Sequence, residues 1–312
     1  MLRISRKKVR EASEILKSVE IKPFDLTDVR YYPPSGEPLE RVLRYFIALV
    51  AIDHRTSRPN YRYEALINDE YYHGADLLYR LGMRMYLKNP EFYSPENLAK
   101  LSYRSALNWL RTPDGKLPTN VKLRVRLLRD LGWKLQQLYD GNVTELLRRA
   151  GHRALGIDGI LNRLRTFLAY QDPVEKKANL FLKFLIRRGV KIRDPWNVAV
   201  PVDNHLTRIA VRLGLVRIDK PLLLTVTWKR KATWDEDVIL RLAVKKAYKL
   251  MSKFSEKPQH ILDDFLWVHG RKVCTRIFPK CGSCLFKRVC MAHLYGNANV
   301  LKEHLYYNTW YY

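Results

Sequence analysis

All four cysteines of this 312-residue chain fall in one C-terminal stretch, Cys274, Cys281, Cys284 and Cys290, spaced Cys-x6-Cys-x2-Cys-x5-Cys. Thiols this close must be accommodated as a set, either as metal ligands or as disulfides. Thiolates select soft metals, and four of them satisfy a tetrahedral zinc ion or the iron corners of a cubane cluster. Structural zinc sites commonly pair two short Cys knuckles. Here a single knuckle, Cys281-Gly282-Ser283-Cys284, is flanked by wider spacings. The outer cysteines must wrap something broader than one ion, so a 4Fe-4S cluster is the expected cofactor.

Disulfide frameworks belong to secreted chains, and the opening Met1-Leu2-Arg3-Ile4-Ser5-Arg6-Lys7-Lys8 is no apolar signal segment. A reducing, intracellular home is expected. A membrane span needs roughly 18 apolar residues, and the longest candidate runs only from Tyr45 to Ile52. The composition, rich in Tyr and Arg and poor in Gln, Met and Cys, suggests a thermophile, and the location expected is the cytoplasm or nucleoid of a prokaryote, a thermophilic archaeon among them. Lys plus Arg number 57 against 31 Asp plus Glu, a formal charge of +26. Excess charge of one sign opposes compaction, so a polyanionic partner is expected, with binding that weakens steeply as salt rises.

Helical periodicity dominates, and few alternating runs of strand type occur. The fold class expected is all-α. One helix spans Ser5 to about Val19, with Val9, Ala12, Ile15, Leu16 and Val19 on one face. After the connector Tyr31-Tyr32-Pro33-Pro34-Ser35-Gly36, a strongly apolar helix runs from Leu39 to about Ile52. Further helices are expected after Asp69, after Ser94-Pro95-Glu96, from Thr119 to Leu138, from Asn142 to Ala150 and from Trp234 to Lys253. Pro221 to Trp228 reads as a short strand or an extended loop. The aromatic run Tyr306 to Tyr312 is expected to pack somewhere. Asp172-Pro173-Val174-Glu175 reads as a helix start, with Asp as cap and Pro at the first position, which puts Lys176 and Lys177 in the first turn. Partial positive charge there depresses a lysine's pKa and favours it as a nucleophile. Asp203 sits at the start of another helix, where an acid often serves only as an N-cap.

Leu266-Trp267-Val268-His269-Gly270-Arg271 leads into Cys274, and Pro279-Lys280-Cys281-Gly282-Ser283-Cys284 lies inside the loop. This segment resembles the cluster loop of endonuclease III-like enzymes of the helix-hairpin-helix superfamily of base-excision DNA glycosylases. Val202-Asp203-Asn204-His205-Leu206-Thr207-Arg208-Ile209 is similar to the stretch carrying that family's essential aspartate. Lys176-Lys177-Ala178-Asn179 resembles the Lys-x-Ala-Asn of its bifunctional members, whose lysine forms a Schiff base with the sugar. A register shift of one, as in archaeal 8-oxoguanine glycosylases, selects Lys177 instead. The family's Leu-Pro-Gly-Val-Gly hairpin is absent; Ala169-Tyr170-Gln171-Asp172-Pro173 stands in its place, with Gly151, Gly156 and Gly159 upstream. The long separation of Lys176 from Asp203 points to an insertion around Arg187 to Trp196.

The resemblance implies a two-lobed fold, a helical barrel lobe plus an iron-sulfur lobe built from N- and C-terminal helices. Residues 1–36 would join the cluster lobe, 37–185 would form the barrel and 186–312 would carry the catalytic aspartate and the cluster. It further implies removal of a damaged base, with an oxidised one favoured, from double-stranded DNA by a monomer. Asp203 would be the catalytic carboxylate and Lys176 or Lys177 the lyase nucleophile. Arg271, Lys272, Arg276 and Lys280, with His205 and Arg208, would contact DNA. Asp53, His54 and Arg55 would lie beside the flipped base, His54 and Arg55 filling the vacated stack. Tyr71, Tyr72 and Tyr79 are pocket candidates, though at helical spacing they suit a core better. A glycosylase acting on RNA or a modified nucleoside, and a non-catalytic nucleic-acid-binding protein, are the alternatives.

Overall fold

Ser5 accepts the Lys8 N–H on its hydroxyl at 3.4 Å and so starts the helix Arg6–Lys17, whose Val9, Ala12 and Leu16 are buried. In the computed structural model, which describes residues 2–58, 60–306 and 309–312, this helix packs along the longer helix Trp234–Ser255. The longer helix opens with a reciprocal capping box between Thr233 and Glu236. Beside it lie the helices Asn204–Leu213 and Gln259–Lys272. A two-residue strand, Arg3–Ile4, pairs antiparallel with Val216–Arg217. These elements form one compact unit, residues up to Phe24 together with Val198–Thr309.

The second unit comprises Asp25–Asn197 and Trp310–Tyr312. At its centre the helix Leu39–Ala51 is buried from Tyr45 to Ala51 without a break, as its nearly all-round apolar sequence requires. Its Tyr45 meets Tyr86 and Tyr93 edge to face. The helix Val121–Tyr139 crosses the short helix Pro95–Ala99 at Gly132, where a Cβ would stand 2.5 Å from Ala99 N and Pro95 O. Ser94 caps that short helix as expected, accepting the Asn97 N–H at 3.3 Å.

The chain divides at 24/25 and 197/198, where the sequence suggested 36/37 and 185/186. Arg188 explains the shift. Its guanidinium donates to the carbonyls of Leu26 (2.7 Å), Pro33 (2.7 Å) and Pro34 (3.0 Å), tying the connector to the second unit. The N-terminal segment ends where Phe24 N–H meets the Asp264 carboxylate at 3.0 Å.

Three local expectations are corrected. Pro221 to Trp228 is mostly helix, Lys220–Val226, because Asp219 accepts the Leu222 N–H at 3.3 Å and Pro221 occupies the first turn. No helix follows Asp69 directly: Glu64–Ile67 and Glu70–His73 form a hairpin across Asn68 and Asp69, both at positive φ, and the helix starts at Gly74. Tyr72 and Tyr79 are buried, whereas Tyr71 on the hairpin is exposed. In the aromatic C-terminal run, Trp310 donates to the Leu168 carbonyl at 3.2 Å and the Tyr312 carbonyl accepts Arg55 N–H at 2.8 Å. Tyr307 and Asn308 of that run lie outside the described residues. Among the described residues no helix is long and apolar enough to cross a membrane.

Candidate active site and cysteine cradle

A helix leaves its last carbonyls without intrahelical partners, and cations are the favoured partners for them. Beyond the end of Leu39–Ala51 this need is met for five successive residues. Lys177 Nζ donates to the Ala51 carbonyl at 2.6 Å, and Lys176 Nζ to that of Asp53 at 3.1 Å. Arg124 reaches the carbonyls of Ile52, His54 (3.3 Å) and Arg55 (3.0 Å), and Thr119 Oγ1 adds 2.7 Å to Arg55. The two lysines are thereby separated in character. Lys177 is wholly buried, and burial, followed by the Lys176 charge, pushes its pKa well below the usual lysine value. Lys176 keeps a little exposure and forms an ion pair with Asp53 Oδ2 at 3.5 Å.

The helix carrying them is Lys176–Arg187, and its cap is Glu175, in the left-handed region at φ 61° with no side-chain capping bond. Asp172 is therefore not the cap expected. It lies a turn earlier, buried, and its carboxylate takes the N–H groups of Val174 (2.9 Å) and Lys177 (3.3 Å). Burial pushes Asp172 up to about 6. In place of the missing hairpin, Gly156 turns at φ +120°, and a Cβ on Gly159 would lie 2.6 Å from the Leu155 carbonyl carbon. The insertion closes over this turn through Asp194, which accepts Ala154 N–H at 2.6 Å and Leu155 N–H at 3.1 Å.

The residues expected beside a flipped base are placed otherwise than expected. His54 is buried, and among the described residues neither ring nitrogen has a hydrogen bond; burial, then the charges of Arg124, Lys177 and Lys176, push its pKa well below the usual histidine value. It does not project to fill a vacated stack. Asp53 pairs with Lys176, and Arg55 is half-buried with its backbone held by the C-terminal segment.

In the other unit Asp203 is the N-cap of Asn204–Leu213: Oδ1 accepts the Leu206 N–H at 2.9 Å, and among the described residues Oδ2 takes no hydrogen bond. The carboxylate is half-buried. His205 is held by Arg208 at 2.9 Å on Nδ1 and packs on Gly270, where a Cβ would come within 2.8 Å. Burial lowers the His205 pKa. Arg208 is not available for DNA. It is buried, donating to the carbonyls of Cys274 and Gly270 (both 2.8 Å) and to Glu303 Oε2 (2.7 Å). Of the other cations, Lys272, Arg276 and Lys280 are exposed, and half-buried Arg271 stacks 4.2 Å over the Trp267 ring.

Cys274, Cys281, Cys284 and Cys290 line one cavity, and none is in a disulfide. Arg212 is buried beside it, donating to Cys274 Sγ at 3.3 Å and to the carbonyls of Thr275 (2.6 Å), Arg276 (2.9 Å) and Leu301 (2.7 Å). His269 Nε2 lies 3.5 Å from Cys284 Sγ. Burial pushes the Cys284 thiol up to about 11. Among the described residues no three His, Cys, Asp or Glu side chains form a ligand group for a single metal ion. Four thiols spread around a cavity beside cationic Arg212, Lys280 and Lys287 make a donor set suited to a larger anionic group.

No protein-family model matches the chain, and no curated protein sequence matches it. Solved structures do. A trapped endonuclease III–DNA covalent intermediate, an estranged-adenine complex, matches with a TM-score of 0.51 and 15% identity over 94% of this chain and 99% of that one. A non-covalent endonuclease III–DNA complex matches with the same TM-score of 0.51 and the same 15% identity and coverage. The chain has the endonuclease III fold. An 8-oxoguanine DNA glycosylase from Pyrobaculum aerophilum, complexed with 8-oxoguanosine, gives a TM-score of 0.44 at 16% identity over 91% of this chain and 97% of that one. The all-α, two-lobed class read from the sequence is thus that of the endonuclease III fold. Sequence reasoning passed over Arg124, Arg212 and Glu303, which organise the lysine pair and the cysteine cradle of this fold. No local signal marks them, since each is an ordinary charged residue until its tertiary partners arrive.

Proposed function

We propose that this protein is a base-excision DNA glycosylase acting on double-stranded DNA, with an oxidised base as the favoured substrate and an accompanying lyase step. The structures the chain matches in fold are complexes of endonuclease III with DNA. The observation that carries the lyase reading is the division of the lysine pair. Lys177 is sealed against the Ala51 carbonyl, so Lys176, 8% exposed where Lys177 has no exposure, and beside Asp53, is the nucleophile. Breaking an N-glycosidic bond builds positive charge on the sugar, and a fixed carboxylate stabilises it. Asp203 suits this work because its cap bond to Leu206 fixes one oxygen and leaves the other for the sugar. Lys176, once its amine has given up a proton, attacks the sugar carbon, the base departs with the bonding pair and takes up a proton, and a Schiff base follows.

Cys274, Cys281, Cys284 and Cys290 would hold a 4Fe-4S cluster, which supplies a rigid scaffold for the loop bearing Lys272, Arg276 and Lys280 rather than the base chemistry. Lys272 and Lys280, with Arg271, would grip phosphates, while Arg276 is held by Glu303 at 2.6 Å.

Borohydride trapping on duplexes carrying single oxidised, deaminated or abasic sites tests the reading. An adduct is expected with the wild type and with Lys177→Gln, and none with Lys176→Gln. An adduct that survives in Lys176→Gln and disappears in Lys177→Gln reverses the assignment. Base release without any adduct makes the enzyme monofunctional, and inactivity on every duplex turns the reading to RNA or nucleosides.

A further inference from the structure

The helix Val121–Tyr139 presents Lys122, Arg126, Arg129 and Trp133 at successive steps of four, three and four residues, which is one helical face. That face, with Ala99, Val125, Asp130 and Leu168, lines an open groove of about 500 Å³. Trp133 is 57% exposed, an unusual position for the largest apolar side chain. Asp130, the groove's acid, is already neutralised by Lys134 at 2.6 Å and accepts Leu168 N–H at 2.7 Å. None of the three cations is paired with an acid among the described residues. Arg129 donates to the Leu101 carbonyl at 2.7 Å, and Lys122 lies 5.9 Å over the Tyr103 ring.

We propose that this groove is a nucleic-acid site separate from the lysine and aspartate machinery, taking a short unpaired strand with phosphates on Lys122, Arg126 and Arg129 and a base stacked on Trp133. The cations span about 10 Å of helix at 1.5 Å per residue, a length over which a strand offers several phosphates. Uncompensated positive charge selects a polyanion. The indole selects an unpaired one, because duplex bases are stacked on each other and an unpaired base has a free face to offer an aromatic ring. Such a site would hold a displaced or single-stranded segment near a lesion, and it does not depend on which base the enzyme removes.

Tryptophan fluorescence of the full-length protein, titrated with a short oligothymidine at low and moderate salt, tests this. Oligothymidine should quench the emission, and Trp133→Phe should lack the part of the quench that Trp133 contributes. Trp133→Ala should weaken oligothymidine binding by roughly tenfold, in line with the known worth of one base–aromatic stack. Arg126→Glu should weaken it and flatten its salt dependence. Both changes lie on an exposed face, so melting temperature and cleavage of a short lesion duplex should stay at wild-type values, which separates a failure here from a failure of the glycosylase reading. Wild-type oligothymidine affinity in both Trp133→Ala and Arg126→Glu overturns the proposal. Quenching of Trp133 by polyglutamate but not by oligothymidine also overturns it and gives the groove to an acidic protein.

Discussion

Glu303 should be a keystone of the cysteine-bearing unit. Its carboxylate, 3% exposed, accepts Arg208 at 2.7 Å and Arg276 at 2.6 Å. Arg208 in turn fixes the carbonyls of Gly270 and Cys274, so the acid neutralises the strut on which the cysteine loop begins. Burial by itself would raise the Glu303 pKa, but the charges of Arg208 and Arg276 outweigh it and hold it at about 2, against an ordinary value of 4.5. Each pKa unit corresponds to about 1.4 kcal/mol, so the ionised acid contributes roughly 3 kcal/mol. A depressed acid stabilises above its unfolded pKa. That contribution is complete above pH 4.5 and disappears as pH falls toward 2.

Glu303→Gln keeps the shape and removes the charge, leaving Arg208 buried without its counter-ion, a change that costs about 3–5 kcal/mol in comparable pairs. We expect a loss near the lower end at pH 7, because Arg208 retains two carbonyls and one amide oxygen. Urea denaturation followed by circular dichroism, at intervals from pH 7 downward, gives both quantities. The gap between wild type and variant should be widest above pH 4.5 and narrow below it. A variant within about 0.5 kcal/mol of wild type at pH 7, the range of an ordinary surface change, would refute the reasoning. So would a gap that stays constant into acid.

Asp203→Asn should leave the melting temperature nearly unchanged, since Asn caps a helix as well as Asp, while base release falls by about a hundredfold or more; a large loss of stability would show that Asp203 serves chiefly as a cap. Lys177→Met should still form the borohydride adduct yet lower stability by about 1–3 kcal/mol, through the orphaned Ala51 carbonyl, as read by denaturation. Gly132→Ala should destabilise by at least about 1–3 kcal/mol, because its methyl meets backbone and not a side chain that can move. Metal analysis of the purified protein should find iron and acid-labile sulfide, both lost in Cys284→Ser; zinc in their place would remove the cluster from the reading.

Long amphipathic helices were legible because their apolar spacing survives any tertiary context: Arg6–Lys17, Leu39–Ala51, Val121–Tyr139 and Trp234–Ser255 lie within a few residues of expectation. Asp203 as a helix cap and the gathering of the four cysteines were legible because their spacing is local. The hairpin Glu64–His73 was missed although Asn68-Asp69 is a fitting two-residue turn, since strands of four residues carry little periodicity. Pro221 to Trp228 misled because its Leu and Thr suit a strand, and the deciding fact is the Asp219 cap. Lys176 and Lys177 are adjacent and identical in type. Only the carbonyls each one meets distinguish them.

Those carbonyls also bear on the meaning of the chain's charge. The formal +26 reads as a surface awaiting a polyanion, yet Arg124, Arg208, Arg212 and Arg241 are among the largest fully buried side chains. Arg124 and Arg212 spend their donors mostly on backbone carbonyls at a helix end and in the cysteine loop, where no acid is needed. Arg208 and Arg241 are paired with Glu303 and Asp237. Guanidinium suits such places because its several donors satisfy neighbouring carbonyls at once and it is more weakly hydrated than an ammonium. Part of the basic excess is thus internal framework. Most of the remaining Lys and Arg are exposed along the whole chain, so on the proposed nucleic-acid reading the salt dependence of binding should report only those cations that meet phosphates and not the formal total.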